Sequence, residues 1–225
     1  MIEVSKLLFD KRLENSKLKE FFKTKHSKYF EFDNSDIFTL TTYENRVGAL
    51  GMTAPPNFLK FSTIKLENNN LIFDNNYILN NYIIYDPKIT QIFYFEPLNK
   101  NIELLKEKID NRIFKKIITT LNEKKYDDLI GFGPGLTPLF DDILSGILLI
   151  NSIKRKFDDS YILEKAKYKT NKLSYFQLSH SSKGYAPKPV KEYLEKGNKA
   201  NLLNMGDTSG LGWIIGISFF FDLEG

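Results

Sequence analysis

Three glycines at alternate positions, Gly131, Gly133 and Gly135, run through GFGPGLTP and straight into the apolar stretch LFDDILSGILLI. Glycine adopts backbone conformations closed to other residues and lets a ligand approach the main chain closely. At the start of a helix such a turn adds uncapped N–H donors and the positive end of the macrodipole, a chemistry suited to phosphate or carboxylate. Thr137 supplies a hydroxyl at the same point, and Asp141 and Asp142 follow in the first helical turn. The aspartates admit two readings. As first-turn acids they complement the helix dipole; beside an anionic ligand they repel it unless Mg²⁺ or Mn²⁺ bridges them, which would make both metal ligands. On the chemical reading Thr137, Asp141 and Asp142 form the catalytic set. A second segment, MGDTSGLG, offers Thr208, Ser209 and Gly210 as further ligand-binding positions at another helix start. Both loops also read as tight connections between buried helices, with glycine used only for packing.

What surrounds the glycines excludes two common nucleotide sites. No lysine follows them in a Gly-Lys-Ser/Thr sequence, so the loop is not a Walker loop. The spacing and the lack of a preceding strand rule out a dinucleotide fingerprint. The chain has no cysteine, which excludes disulfides and thiolate metal sites and fits a reducing, cytoplasmic setting. Its 32 basic and 28 acidic residues are interspersed and leave a net charge of +4, which does not point to nucleic acid. The basic stretch 17–28 reads as a solvated helix face, with a basic-aromatic surface around Phe21, Phe22 and Tyr29 as the alternative. His26 reads as solvated, and His180, beside Ser179, Ser181 and Ser182, would join a nucleophile pair only if the fold brought an acid near it. The first residues carry no apolar core of a signal peptide, and the run 213–221 is too short to span a bilayer.

The elements that must position these residues fall into two halves. Residues 4–23, with Leu7, Leu8, Leu13, Leu18, Phe21 and Phe22, suggest one or two short helices. Residues 29–95 are rich in β-branched and aromatic runs; FLKFSTIKL alternates as a strand, and the asparagine clusters in ENNNLIF and FDNNYIL stand where hairpin turns belong. Residues 99–121 repeat Ile102, Leu105, Ile109, Ile113, Ile117 and Leu121 at helical spacing and predict one amphipathic helix. Beyond it, Thr137 would cap a helix from Pro138 to about Lys156. Further helices are expected near 173–179, capped by Thr170 or Asn171, over 187–196, stopped by Gly197, and from Thr208 or Ser209 onward. Gly146 and Gly216, inside apolar helices, imply close helix contact, since glycine there costs roughly 1 kcal/mol against alanine. The expected fold is α+β: a β-rich meander or small barrel over 1–97 and an α-helical domain over 98–225.

The segment GFGPGLTPLFDDILSG resembles the signature of the AllH-like family, named for a subunit of oxamate carbamoyltransferase. Thr170 and Ser174 in KTNKLSYF and the segment MGDTSGLGWIIG resemble further segments of that family in order, and RVGALGMTAPPNFLKF sits where the family has a glycine- and proline-containing turn between strands. The resemblance implies a cytoplasmic protein of anaerobic purine nitrogen breakdown, in which allantoin-derived oxalurate and phosphate give oxamate and carbamoyl phosphate with the help of companion subunits. It implies that Gly133, Gly135 and Thr137 bind phosphate or carbamoyl phosphate while Asp141 and Asp142 hold a metal or orient the loop. The chemistry would be acyl transfer to phosphate, with the donors stabilising charge on the carbonyl oxygen. Two departures from the family pattern matter: Leu139 and Phe140 replace small residues, with Phe140 expected at the pocket mouth, and Gly212 stands where the family has an acid. They leave a non-catalytic binding or scaffold subunit as the alternative.

Overall fold

A computed structural model describes residues 1–10, 16–33 and 36–222. It divides into two compact units, Met1–Lys88 with Pro187–Pro189, and Ile89–Ala186 with the chain from Val190. The first unit carries, among the described residues, nine strands: β1 (Glu3–Ser5), β2 (Lys17–Lys23), β3 (Ser27–Phe32), β4 (Ile37–Thr41), β5 (Gly51–Thr53), β6 (Thr63–Glu67), β7 (Asn70–Phe73), β8 (Tyr77–Leu79) and β9 (Ile83–Tyr85). They form one curled, half-barrel sheet in the order β8-β7-β6-β2-β3-β4-β5-β1-β9. Alternation sets its inner face. Phe30 and Phe32 of β3, Ile64 and Leu66 of β6, and Leu71 and Phe73 of β7 are buried at every second position. The two hairpin turns expected at asparagine clusters are present, with Asn68 and Asn69, then Asp74 and Asn75, all at positive φ. Asn and Asp visit this region at low cost, and two such residues in succession match the twist of the flanking strands.

Three local expectations in this unit need correction. The described residues of 4–23 form no α-helix: a 3-10 turn, Lys6–Phe9, follows β1, residues 17–23 form β2, and Leu13 lies outside the described residues. Leu18 is instead the buried anchor of β2, paired with Phe32 on one side and Ile64 on the other. Cross-strand packing therefore overrides a helix-like spacing of leucines. The basic stretch is accordingly a strand pair; Lys28 is buried, with its ammonium 2.7 Å from Glu20 and 2.8 Å from the Phe61 carbonyl. FLKFSTIKL also does not begin as a strand. Pro55 and Pro56 start a 3-10 turn, Pro56–Lys60, and the ladder opens only at Thr63. Proline has no N–H to give a ladder and its fixed φ suits a helical turn.

The second unit contains α1 (Leu98–Lys108), α2 (Asn111–Asn122), α3 (Leu139–Lys154), α4 (Ser160–Lys169), α5 (Lys172–Ser182), α6 (Lys188–Lys196), α7 (Lys199–Leu203) and α8 (Ser209–Asp222). The single helix expected over 99–121 is two, because the Asp110 carboxylate accepts the Arg112 N–H at 2.8 Å and starts a new helix there. The stop at Gly197, the Asn171 cap of α5 and the start of α8 at Ser209 fall where expected. α3 and α8 are apolar on nearly every side and form the centre of the unit, as an all-round hydrophobic helix must. They cross at Gly146 and Gly216. A Cβ on Gly146 would come within 2.6 Å of the Trp213 carbonyl oxygen, and one on Gly216 would run into the Ile143 carbonyl. Close helix contact is thus what these glycines serve. Among the described residues, no helix is long and apolar enough to cross a membrane.

Candidate functional site

The glycine loop folds back over the start of α3 and satisfies that start itself. The N–H groups of Leu139, Phe140, Asp141 and Asp142 donate to the carbonyls of Pro134, Phe132, Pro138 and Pro138, at 3.1, 3.0, 2.9 and 3.2 Å. The path requires φ of +82°, +107° and +115° at Gly131, Gly133 and Gly135, values that side chains disfavour. Thr137 therefore does not cap α3, contrary to the sequence expectation; no donor is left for it. The donors that remain open belong to the loop. Among the described residues, the N–H groups of Gly133, Gly135, Leu136 and Thr137 bond no other residue, and residues 134–136 are exposed. The Asn171 side chain holds the loop tip by donating to the Leu136 carbonyl at 2.9 Å.

Beneath the loop lie the two aspartates, both fully buried. Asp141 Oδ1 accepts the Gly131 N–H at 2.8 Å, and its Oδ2 accepts the Thr170 hydroxyl. Burial pushes its carboxyl above the usual carboxylate range, against the pull of Thr170, Gly131 and Ser174. Ser174 helps hold this charge by proximity, yet its buried hydroxyl has no hydrogen bond of acceptable geometry. Asp142 Oδ1 accepts Gln177 Nε2 at 2.8 Å, and its Oδ2 lies 3.3 Å from Thr137 Oγ1. Burial raises the Asp142 carboxyl to about 7, with Gln177, Ser209 and Thr137 opposing the shift and Asp141 adding to it. Among the described residues no lysine or arginine pairs with either carboxylate. Neutral hydrogen-bond donors and the first turns of α3, α5 and α8 stand around them instead, and helix N-termini favour negative charge.

The structure brings Thr137, Asp142 and Ser209 into direct contact, since Thr137 Oγ1 is also 3.3 Å from Ser209 Oγ. The two glycine-rich helix starts thus meet. Thr208 and Gly210 are buried and face inward; a Cβ on Gly210 would collide with the Leu202 carbonyl, so this glycine serves packing between α7 and α8. Phe140 is buried in the helical core and is not at a pocket mouth. At Gly212 an added Cβ would come within 2.8 Å of Asp142 Cβ, so an acid there is incompatible with Asp142 as placed. Gln177 and Ser145 were not legible as site residues. Gln177 donates to Asp142 and, at 3.0 Å, to Ser145 Oγ, which in turn donates to the Asp141 carbonyl. α5 mixes polar and apolar residues around its circumference, so no periodicity singles Gln177 out.

The donor set does not suit a divalent cation. All four carboxylate oxygens already accept a protein hydrogen bond, and among the described residues no three His, Asp or Glu side chains cluster; Mg²⁺ asks for about six oxygen ligands in near-octahedral order.

Residues 129–221 match the family model of oxamate carbamoyltransferase subunit AllH. The stretch from the glycine loop through α8 is thus similar to that subunit. The match opens just before the glycine loop and closes near the end of α8, so it takes in every residue of the site. No curated protein and no solved structure matches the chain.

Proposed function

We propose that this AllH-like chain is a subunit of an oxamate-type carbamoyltransferase and that its glycine loop holds an anionic, phosphate-type ligand, phosphate or carbamoyl phosphate. The observation that carries the reading is the set of four open N–H groups at Gly133, Gly135, Leu136 and Thr137, next to the Thr137 and Ser209 hydroxyls. Open backbone donors in a glycine-rich loop suit a phosphoryl group or the oxygen of a carbonyl under attack. In the reaction oxalurate plus phosphate to oxamate plus carbamoyl phosphate, a phosphate oxygen bonds the ureido carbonyl carbon, the C–N bond to oxamate breaks, and the proton that hydrogen phosphate loses balances the one the oxamate nitrogen gains. The loop would orient phosphate and receive charge on the carbonyl oxygen. Asp141 and Asp142, sealed from solvent, are positioning residues: Asp141 ties Gly131 to the base of the loop, and Asp142 holds Thr137. Companion subunits would complete the site in the cytoplasm, in purine nitrogen breakdown. A scaffold role is the second reading, and it is favoured by the same seal over both carboxylates.

Calorimetric titration with phosphate and with carbamoyl phosphate separates the two. Gly135→Ala would force a side chain onto φ +115°, with its Cβ 2.6 Å from the Thr137 carbonyl. Binding by the wild type that this variant loses, while it still melts cooperatively, supports the ligand site. Absence of wild-type binding, alone and with companion subunits, would leave the scaffold role.

A further inference from the structure

The direction of the hydrogen bonds around Asp142 decides what the two hydroxyls can still do. An ionised carboxylate only accepts, so Thr137 must donate its single hydroxyl hydrogen to Asp142 Oδ2. In the Thr137–Ser209 pair the donor is then Ser209; should Ser209 turn to Asp142 instead, its hydrogen is spent there. Either way both hydrogens are committed inward, and what Thr137 and Ser209 retain for a ligand is oxygen lone pairs. The Asp142 side is fixed as well, since Gln177 places one amide hydrogen on Asp142 and the other on Ser145. The half-buried Thr137 and Ser209 therefore present acceptors, while the loop beside them presents N–H donors.

We propose that Asp142 is a specificity-determining residue which, by turning the Thr137 and Ser209 hydroxyls into acceptors, makes the site select ligands carrying an amide NH₂ next to an anionic group over equally charged ligands that lack it. This rests on the reading that the glycine loop binds a phosphate-type anion. The phosphoryl oxygens take the loop N–H groups and the NH₂ takes the hydroxyl oxygens. A methyl group in place of the NH₂ leaves those oxygens facing no donor, and unpaired polar groups at a binding site cost affinity. The preference belongs to the ionised carboxylate. The substitution Asp142→Asn removes it, for an amide at this position, with its oxygen on Gln177, donates its NH₂ to Thr137 and turns that hydroxyl outward as a donor.

The test uses two stable probes of the same charge, phosphonoacetamide and 2-oxopropylphosphonate, which differ by NH₂ against CH₃. Dissociation constants are measured at pH 8.5 for the full chain, Asp142→Asn and Ser209→Ala. The expected result is an amide preference of about tenfold or more in the wild type, reduced several-fold in Ser209→Ala and abolished in Asp142→Asn, with 2-oxopropylphosphonate bound as well as before. Equal binding of the two probes by the wild type overturns the inference and leaves the anion site standing. An amide preference that persists in Ser209→Ala and Asp142→Asn also overturns it. Binding of neither probe removes the anion site and the inference with it. Should Asp142→Asn fail to fold, Ser209→Ala, a small change at a half-buried position, carries the test.

Discussion

Replacing Asp142 with asparagine removes a charge that the fold keeps out of water, and the effect on stability has a definite pH signature. The carboxyl rises from 3.8 to about 7 because burial disfavours its charged form. Its folded pKa lies above its unfolded one, so the native state binds the extra proton between those values, and the resulting stability is full below pH ~4 and is lost as pH rises through ~7. A shift of about three units at ~1.4 kcal/mol each amounts to roughly 4 kcal/mol. Asp141 shifts in the same direction but is present in both proteins and largely cancels in the comparison. Urea unfolding followed by the fluorescence of the buried Trp213, the chain's one tryptophan, gives the free energy at each pH. The difference in stability, Asp142→Asn minus wild type, should grow by about 4 kcal/mol between pH 4 and pH 8. Parallel pH curves for the two proteins would refute the account of Asp142 as a desolvated carboxyl held by neutral donors.

Two further outcomes test the frame around it. Gly216→Ala would drive a methyl into the Ile143 carbonyl where α8 crosses α3, and we expect a loss of about 3 kcal/mol, read from the shift in urea midpoint; a loss below about 0.5 kcal/mol would mean the crossing is loose. Thr170→Val removes the hydroxyl that Asp141 accepts while keeping the shape, and should cost about 1–3 kcal/mol. It should also speed hydrogen exchange at the Gly131 amide, whose acceptor is the same carboxylate; unchanged exchange would show that Asp141 does not pin the loop.

Much of this architecture was legible because it depends on neighbours in sequence. The pairs Asn68–Asn69 and Asp74–Asn75 mark their turns through their own backbone preferences, and Gly197 and Asn171 end and start helices through local hydrogen bonds. Gly146 and Gly216 announce a close crossing because glycine inside an apolar helix has no local justification. What misled was local pattern overruled at a distance. Leu18 sits at helix-like spacing from Leu7 and Leu8, yet burial between Phe32 and Ile64 makes it part of a strand. One cap at Asp110 split a continuous amphipathic pattern into two helices.

For the site, sequence alone determined that three alternating glycines lead into a helix with paired acids, and that nucleotide-type loops are excluded by what does not follow them. Only tertiary structure decided which atoms remain open. The loop carbonyls consume the donors at the start of α3, and burial encloses Asp141 and Asp142 among protein hydrogen-bond donors. Contacts across helices far apart in the chain, Gln177 on Asp142 and Ser209 on Thr137, then set which hydroxyls can donate. Backbone conformation is governed by a residue and its neighbours, whereas desolvation and hydrogen-bond direction depend on every group packed around a carboxylate, and those groups come from three helices that sequence order keeps apart.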